Sequence, residues 1–170
     1  MKIKTNEICL YSILGVLVFS LKFIMSFLPN IEPVSLLLIA YTIVFGIKAI
    51  YPMIIYVLLE VVIYGCGFWS IAYIYIWPIL LFNTFMTLQI TNKSMNVLLW
   101  SLISAIFGLL FGALYIPLYA VSGGVTFAIT WWVSGVSFDI VHCISNFILC
   151  MVLFKPITKT LLKLKQYKIN

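Results

Sequence analysis

Gly135-Val-Ser-Phe-Asp139-Ile-Val-His142-Cys-Ile-Ser-Asn146, followed by an apolar run that stops at Lys155-Pro156, decides how the chain is to be read. On a helix, Asp139, His142 and Asn146 stand at i, i+3 and i+7, so an acid, an imidazole and an amide share one face within two turns. Almost everything around them is apolar. An ionisable side chain in such a segment is costly in hydrocarbon and is kept where it faces a bundle interior, a partner or a water-filled cavity. The face therefore reads as one wall of a polar site inside a membrane protein.

Working outward, the whole chain has the same character. Of its 170 residues, 65% are hydrophobic and 8% charged, and the mean hydropathy is +1.22. A soluble domain could not cover its surface with so few charges. Backbone polar groups in lipid must be satisfied within the segment, and long unalternating apolar runs fit helices rather than barrel strands. At about 20 residues per span, the chain holds roughly five or six helices. The expectation is an all-α integral membrane protein with six transmembrane helices in one compact bundle, at about 7–28, 34–47, 51–65, 72–91, 97–119 and 135–154. A basic tail, 155–170, follows.

Breaks between these segments follow from local chemistry. Pro29-Asn-Ile-Glu-Pro33 ends the first helix, because each proline removes a backbone donor and restricts the residue before it. Gly65-Cys-Gly-Phe-Trp69 carries two glycines that permit backbone geometries closed to other residues. Pro78 predicts a kink. Ser104, Gly108 and Gly112 repeat every four residues, the small-residue stripe that lets membrane helices approach closely. The segment 121–132 is open between a plain outer loop and a re-entrant one. Lys2 and Lys4 before an apolar run imitate a signal peptide, but the run is too long for one and reads as a retained first helix.

The net charge of +6 comes from ten Lys, without Arg, and four acids. Lysines at segment ends report topology and form no nucleic-acid patch. Six spans would gather both termini, Lys48 and Lys93 on one side, leaving only Lys22 apart, and the positive-inside rule makes that side cytoplasmic. Glu32, Glu60, Asp139 and His142 then fall in the outer third, at depths shared with Tyr56, Trp69, Tyr73, Tyr75, Trp77, Trp131 and Trp132. An outward-facing pocket lined by aromatics, acids and amides suits a small hydrogen-bonding molecule.

Each feature also has a plainer account. Asp139, His142 and Asn146 could be a packing cluster, with Asp and His satisfying one another; Glu60 could pair with Lys22 or a backbone group; Asn30 and Glu32 suit a solvated turn. Some aromatics belong to the interfacial belt. The four Cys show no metal-ligand spacing and read as small buried hydrophobes. There is no His-x-x-x-His or Glu-x-x-His, no Gly-x-Ser-x-Gly elbow and no phosphate loop, so neither a metal, a cofactor nor a nucleotide is expected.

Taken together, the six short helices, the Pro29 to Pro33 break, Leu58-Leu59-Glu60 leading to Tyr64-Gly65-Cys-Gly-Phe-Trp69, and Ser134-Gly135-x-x-Phe138-Asp139-x-x-His142-x-x-x-Asn146-Phe147 resemble the substrate-binding S components of energy-coupling factor (ECF) vitamin transporters. The resemblance implies a prokaryotic plasma-membrane protein, not an enzyme, that captures a water-soluble vitamin or heterocyclic precursor from outside. It would then dock on a T component carrying two ATPases and topple in the bilayer to release its cargo. Substrate contacts are expected from Glu60, Trp69, Tyr73, Trp77, Asn83, Trp132, Asp139, His142 and Asn146, with Asn30 and Glu32 in a gating loop. The family's Ala-x-x-x-Ala docking motif has no strict counterpart, and Ser12 and Gly15 stand in that region. Scarce outer cations favour a flat, donor-rich or cationic heterocycle over an anion. The rival expectations are an intramembrane enzyme using Glu60, Asp139 and His142, and a stand-alone proton-coupled carrier.

Overall fold

The structure, a computed structural model, describes residues 4–92 and 94–169. Lys2, Lys93 and Asn170, used above to count charge and tail length, lie outside them. The described residues form helices α1 (Thr5–Ile24), α2 (Val34–Phe45), α3 (Ile50–Tyr64), α4 (Phe68–Ile90), α5 (Val97–Leu110), α6 (Ile116–Gly123) and α7 (Val125–Ile169), with short 3-10 turns at Gly46–Ala49 and Ala113–Tyr115.

Local chemistry sets several of these ends. Asn96 caps α5, its side-chain oxygen accepting from the amides of Leu98 and Leu99, two of the donors a helix start leaves free. Gly46 and Gly65 end α2 and α3 at φ of 62° and 81°, a region open to glycine at no steric cost. Asn30, at φ 57°, turns the chain between α1 and α2, a geometry asparagine tolerates better than most residues.

The core is built around α2. Nearly every residue from Val34 to Phe45 is buried, as expected of a helix that is apolar all round, and α7, α4, α5 and α1 surround it. Glu7 pairs with Lys48 at one end of the bundle and Lys22 with Glu60 at the other, so α1 and α3 run the same way. Between them α2 runs back, with Tyr41 donating to the Leu14 carbonyl midway. The far end of α7 returns to the first end, where Lys165 donates to the Val44 carbonyl.

Four helical stretches are long and apolar enough to cross a membrane: Thr5–Ile24, Val34–Tyr64, Phe68–Ile90 and Val125–Tyr167. The pair Val97–Leu110 and Ala113–Gly123, bent by 52°, makes up to five. Large apolar side chains such as Ile13, Val62, Ile74, Phe82 and Val152 stand exposed on the outer faces, far more than water tolerates and what lipid requires.

Three expectations are corrected. The helix expected at 97–119 stops at Leu110 and bends, because the Gly112 amide leaves the helical ladder and donates instead to Asp139 Oδ1 at 3.0 Å. The helix at 135–154, the segment before it and the tail are one helix, Val125–Ile169, that runs through Pro156; a proline removes one donor and strains one turn, and the flanking apolar turns carry the helix past it. Segment 121–132 is not a plain loop: it holds the end of α6, Gly124 at φ 84° and the start of α7. Pro78 likewise lies inside a continuous α4.

Candidate functional site

The small-residue stripe and the polar face, which the sequence shows 27 residues apart, meet in the structure. A Cβ on Gly108 would stand 2.8 Å from both the His142 carbonyl and Asn146 Nδ2, and one on Gly112 would overlap the Asp139 carboxylate. Bare backbone on α5 is therefore what lets the Asp139, His142 and Asn146 face of α7 approach. Asn146 Nδ2 donates in this contact to Ser35 Oγ and to the Ser104 carbonyl, both at 3.2 Å, while its Oδ1 is buried with no partner among the described residues. It fastens α7 to α2 and α5.

Above that contact lie two adjoining chambers. The first, of about 440 Å³, is lined by Lys22, Glu32, Glu60, Tyr64, Tyr73 and His142, among others. The second, of about 300 Å³, is lined by Tyr115, Tyr119, Trp131, Trp132 and Asp139, together with Gly112 and Gly135. Asn30, Trp69 and Phe111 belong to both and form the partition.

In the first chamber Lys22 Nζ meets Glu60 Oε2 at 2.5 Å. The ammonium also lies within 5.6–5.9 Å of the Tyr56, Tyr64 and Tyr73 ring centroids, near enough for the ring quadrupoles to attract it. The pairing of Glu60 with Lys22 is thus present, and Glu60 Oε1 remains buried without a partner. His142 is 2% exposed, packs edge-on against Phe111 at 5.0 Å, and leaves Nε2 unpartnered. It forms no hydrogen bond or ion pair with Asp139 among the described residues, so the two do not satisfy one another. In the second chamber Asp139 Oδ2 and Trp132 Nε1 are likewise buried and unpartnered.

The loop that roofs the first chamber is pinned. Ser145 Oγ donates to the Asn30 carbonyl at 2.9 Å, holding the α1–α2 turn on α7. Half-buried beside it, the Glu32 carboxyl is pushed above the usual carboxylate value by burial; the Lys22 ammonium opposes the rise and Glu60 adds to it. A raised native pKa means the folded chain holds the proton at a pH where the unfolded chain has lost it, so this group's contribution to stability falls as pH rises above the ordinary carboxylate value. Glu32→Gln should therefore raise the melting temperature at neutral pH and leave it unchanged at pH 4, as read by thermal unfolding in detergent. An equal shift at both pH values would place the effect elsewhere.

Of the expected contacts, Glu60, Tyr73 and His142 line the first chamber, Trp132 and Asp139 the second, and Trp69 both. Asn30 and Glu32 line the first from the loop. Trp77 lies fully buried beneath, edge-on to Tyr73 and Tyr56, and lines neither chamber. Asn83 points outward, beside Pro78, Ile79 and Phe82 on the lipid-facing side of α4. Gly15 is used within the chain: a Cβ there would sit 2.7 Å from Ile55 and 2.8 Å from the Pro52 carbonyl, so it packs α1 on α3. Ser12 is half-buried on the same helix. Sequence reasoning reached Lys22 only as a partner for Glu60 and Gly112 only as part of the packing stripe, and it missed Phe111 and Ser145. The only signal for Ser145 is its place one residue from Asn146 on the polar face.

No group of three or more His, Cys, Asp and Glu side chains gathers among the described residues as a metal site would need. Compared with protein-family models, curated proteins and solved structures, the chain matches none.

Proposed function

We propose that the chain is the substrate-capturing S component of an ECF-type importer, holding a small water-soluble vitamin or precursor in the two chambers. One observation supports the reading: Glu60 Oε1, His142 Nε2, Asp139 Oδ2 and Trp132 Nε1 are buried, unpartnered among the described residues, and belong to residues walling two adjoining cavities. Leaving a buried polar group unsatisfied costs about 1–3 kcal/mol, and four such atoms around one space are what a hydrogen-bonding guest would answer. Volumes of 440 and 300 Å³ fall in the range of small-molecule sites.

In this reading the bundle crosses the membrane six times, the bent α5–α6 pair making one crossing, with both termini cytoplasmic and the chambers opening outward. The Asn30 and Glu32 loop gates them. A T component with two ATPases supplies the energy, and with Gly15 spent inside the chain, docking falls to the outward face of α1 around Ser12, Ile13 and Val16. The enzyme reading is weaker, because proton transfer requires its groups within hydrogen-bond reach, whereas Asp139 lines one chamber and Glu60 and His142 the other.

Native mass spectrometry of the chain purified in mild detergent should show one small molecule per 19.4 kDa chain, released unaltered on denaturation. A chemically converted product would favour the enzyme. Uptake by the chain alone in liposomes, driven by a proton gradient, would establish the stand-alone carrier and overturn the proposal.

A further inference from the structure

The second chamber is walled by a buried carboxyl group whose second oxygen has no partner among the described residues. Asp139 is 7% exposed; Oδ1 takes the Gly112 amide, and Oδ2 takes nothing. The ion pairs among the described residues are Lys22 with Glu60 and Lys48 with Glu7, so none of the described lysines is paired with this carboxylate. Rings of Trp69, Phe111, Tyr115, Tyr119, Trp131 and Trp132 line the same space. A buried carboxylate without a counter-charge is strongly destabilising, and the faces of aromatic rings attract cations within about 6 Å. The carboxylate and the rings favour the same guest.

The donor pattern narrows it. Oδ2 requires a directional N–H, and a quaternary ammonium has none to give. Trp132 stands two turns before Asp139 on the same face of α7, and its Nε1–H lies beside the carboxylate as a neutral donor, which leaves the counter-charge still to be supplied. Resting on the reading of the chambers as the cargo site, we infer that the cargo carries a planar organic cation, of amidinium or protonated amino-heterocycle type, which seats on Asp139 Oδ2 between the aromatic rings of the second chamber. The rest of the cargo passes the Asn30, Trp69 and Phe111 partition into the first chamber. There the Lys22–Glu60 pair is already neutralised, Glu60 Oε1 accepts a hydrogen bond, and His142 Nε2 accepts or donates one.

Three probes of one shape test the charge: benzamidinium, benzamide and benzoate, titrated against the ligand-stripped full chain in detergent and followed by tryptophan fluorescence. Benzamidinium should bind at least about tenfold more tightly than benzamide, and benzoate should not bind. In Asp139→Asn, which keeps an oxygen for the Gly112 amide, the preference for benzamidinium over benzamide should vanish. An unliganded melting temperature at or above that of the parent shows that the variant is folded. Trp132→Phe should weaken all binding while keeping the order. Equal binding of the three probes, or a preference surviving in Asp139→Asn, would overturn the cation and leave the cargo site standing. No response to any probe, together with no small molecule retained on purification, would overturn both.

Discussion

Glu60→Leu is expected to destabilise the chain by about 3 kcal/mol, because it strands the Lys22 ammonium beside three tyrosine rings with no carboxylate. Removing one partner of a buried pair costs about 3–5 kcal/mol. The lower end applies here, since the Lys22 side chain keeps 20% exposure against 2% for Glu60 and can swing toward water. Exchanging both partners for apolar groups is often neutral, so Lys22→Met with Glu60→Leu should recover most of the loss. Thermal unfolding of the parent, both single variants and the double variant closes the cycle. The double variant also separates stability from binding: it should be folded yet bind cargo poorly if Glu60 Oε1 contacts it. A double variant as unstable as Glu60→Leu would mean that the pair is not the source of the effect.

Gly108→Val should be nearly as damaging, by about 1–3 kcal/mol from overpacking, with loss of the Asn146 hydrogen bonds in addition. The added Cβ meets the His142 carbonyl at 2.8 Å, and backbone cannot rotate aside as a side chain can. Gly112→Ala presses on the end of the Asp139 carboxylate instead, so its larger effect should fall on cargo affinity. Gly135→Ala is the control. Nothing lies within 4 Å of its Cβ position, and replacing glycine inside a helix adds up to about 1 kcal/mol of stability. Equal melting temperatures for Gly108→Val and Gly135→Ala would show that α5 and α7 do not rely on that close approach.

The contrast between these glycines also marks what the sequence can and cannot disclose. Spacing alone put Asp139, His142 and Asn146 on one face and Ser104, Gly108 and Gly112 on another, since helical periodicity is a local property. That the two faces pack on each other is a tertiary fact, and it gives the Asn146 amide nitrogen a helix-fastening role that spacing does not show. The bend after Leu110 has no local signature, because its cause is a carboxylate 27 residues away that takes the Gly112 amide. Asn83 is polar in an apolar run, but nothing in its spacing shows that it faces outward. The long α7 was hidden for the opposite reason: Lys155-Pro156 reads as a stop, and the helix runs through it.

At about 1.5 Å per residue, the 45 residues of α7 make a rod of roughly 67 Å. Its first three turns carry Trp131, Trp132 and Gly135, and its last carry the lysines. Mechanically these are not two regions. A rod this long turns a small tilt at one end into a proportionately larger excursion at the other. Pro156 is the one place where a missing backbone bond gives it a compliant joint. Whatever shifts the aromatic wall thus moves the lysine-bearing end as a lever arm, with no intervening loop to absorb the motion.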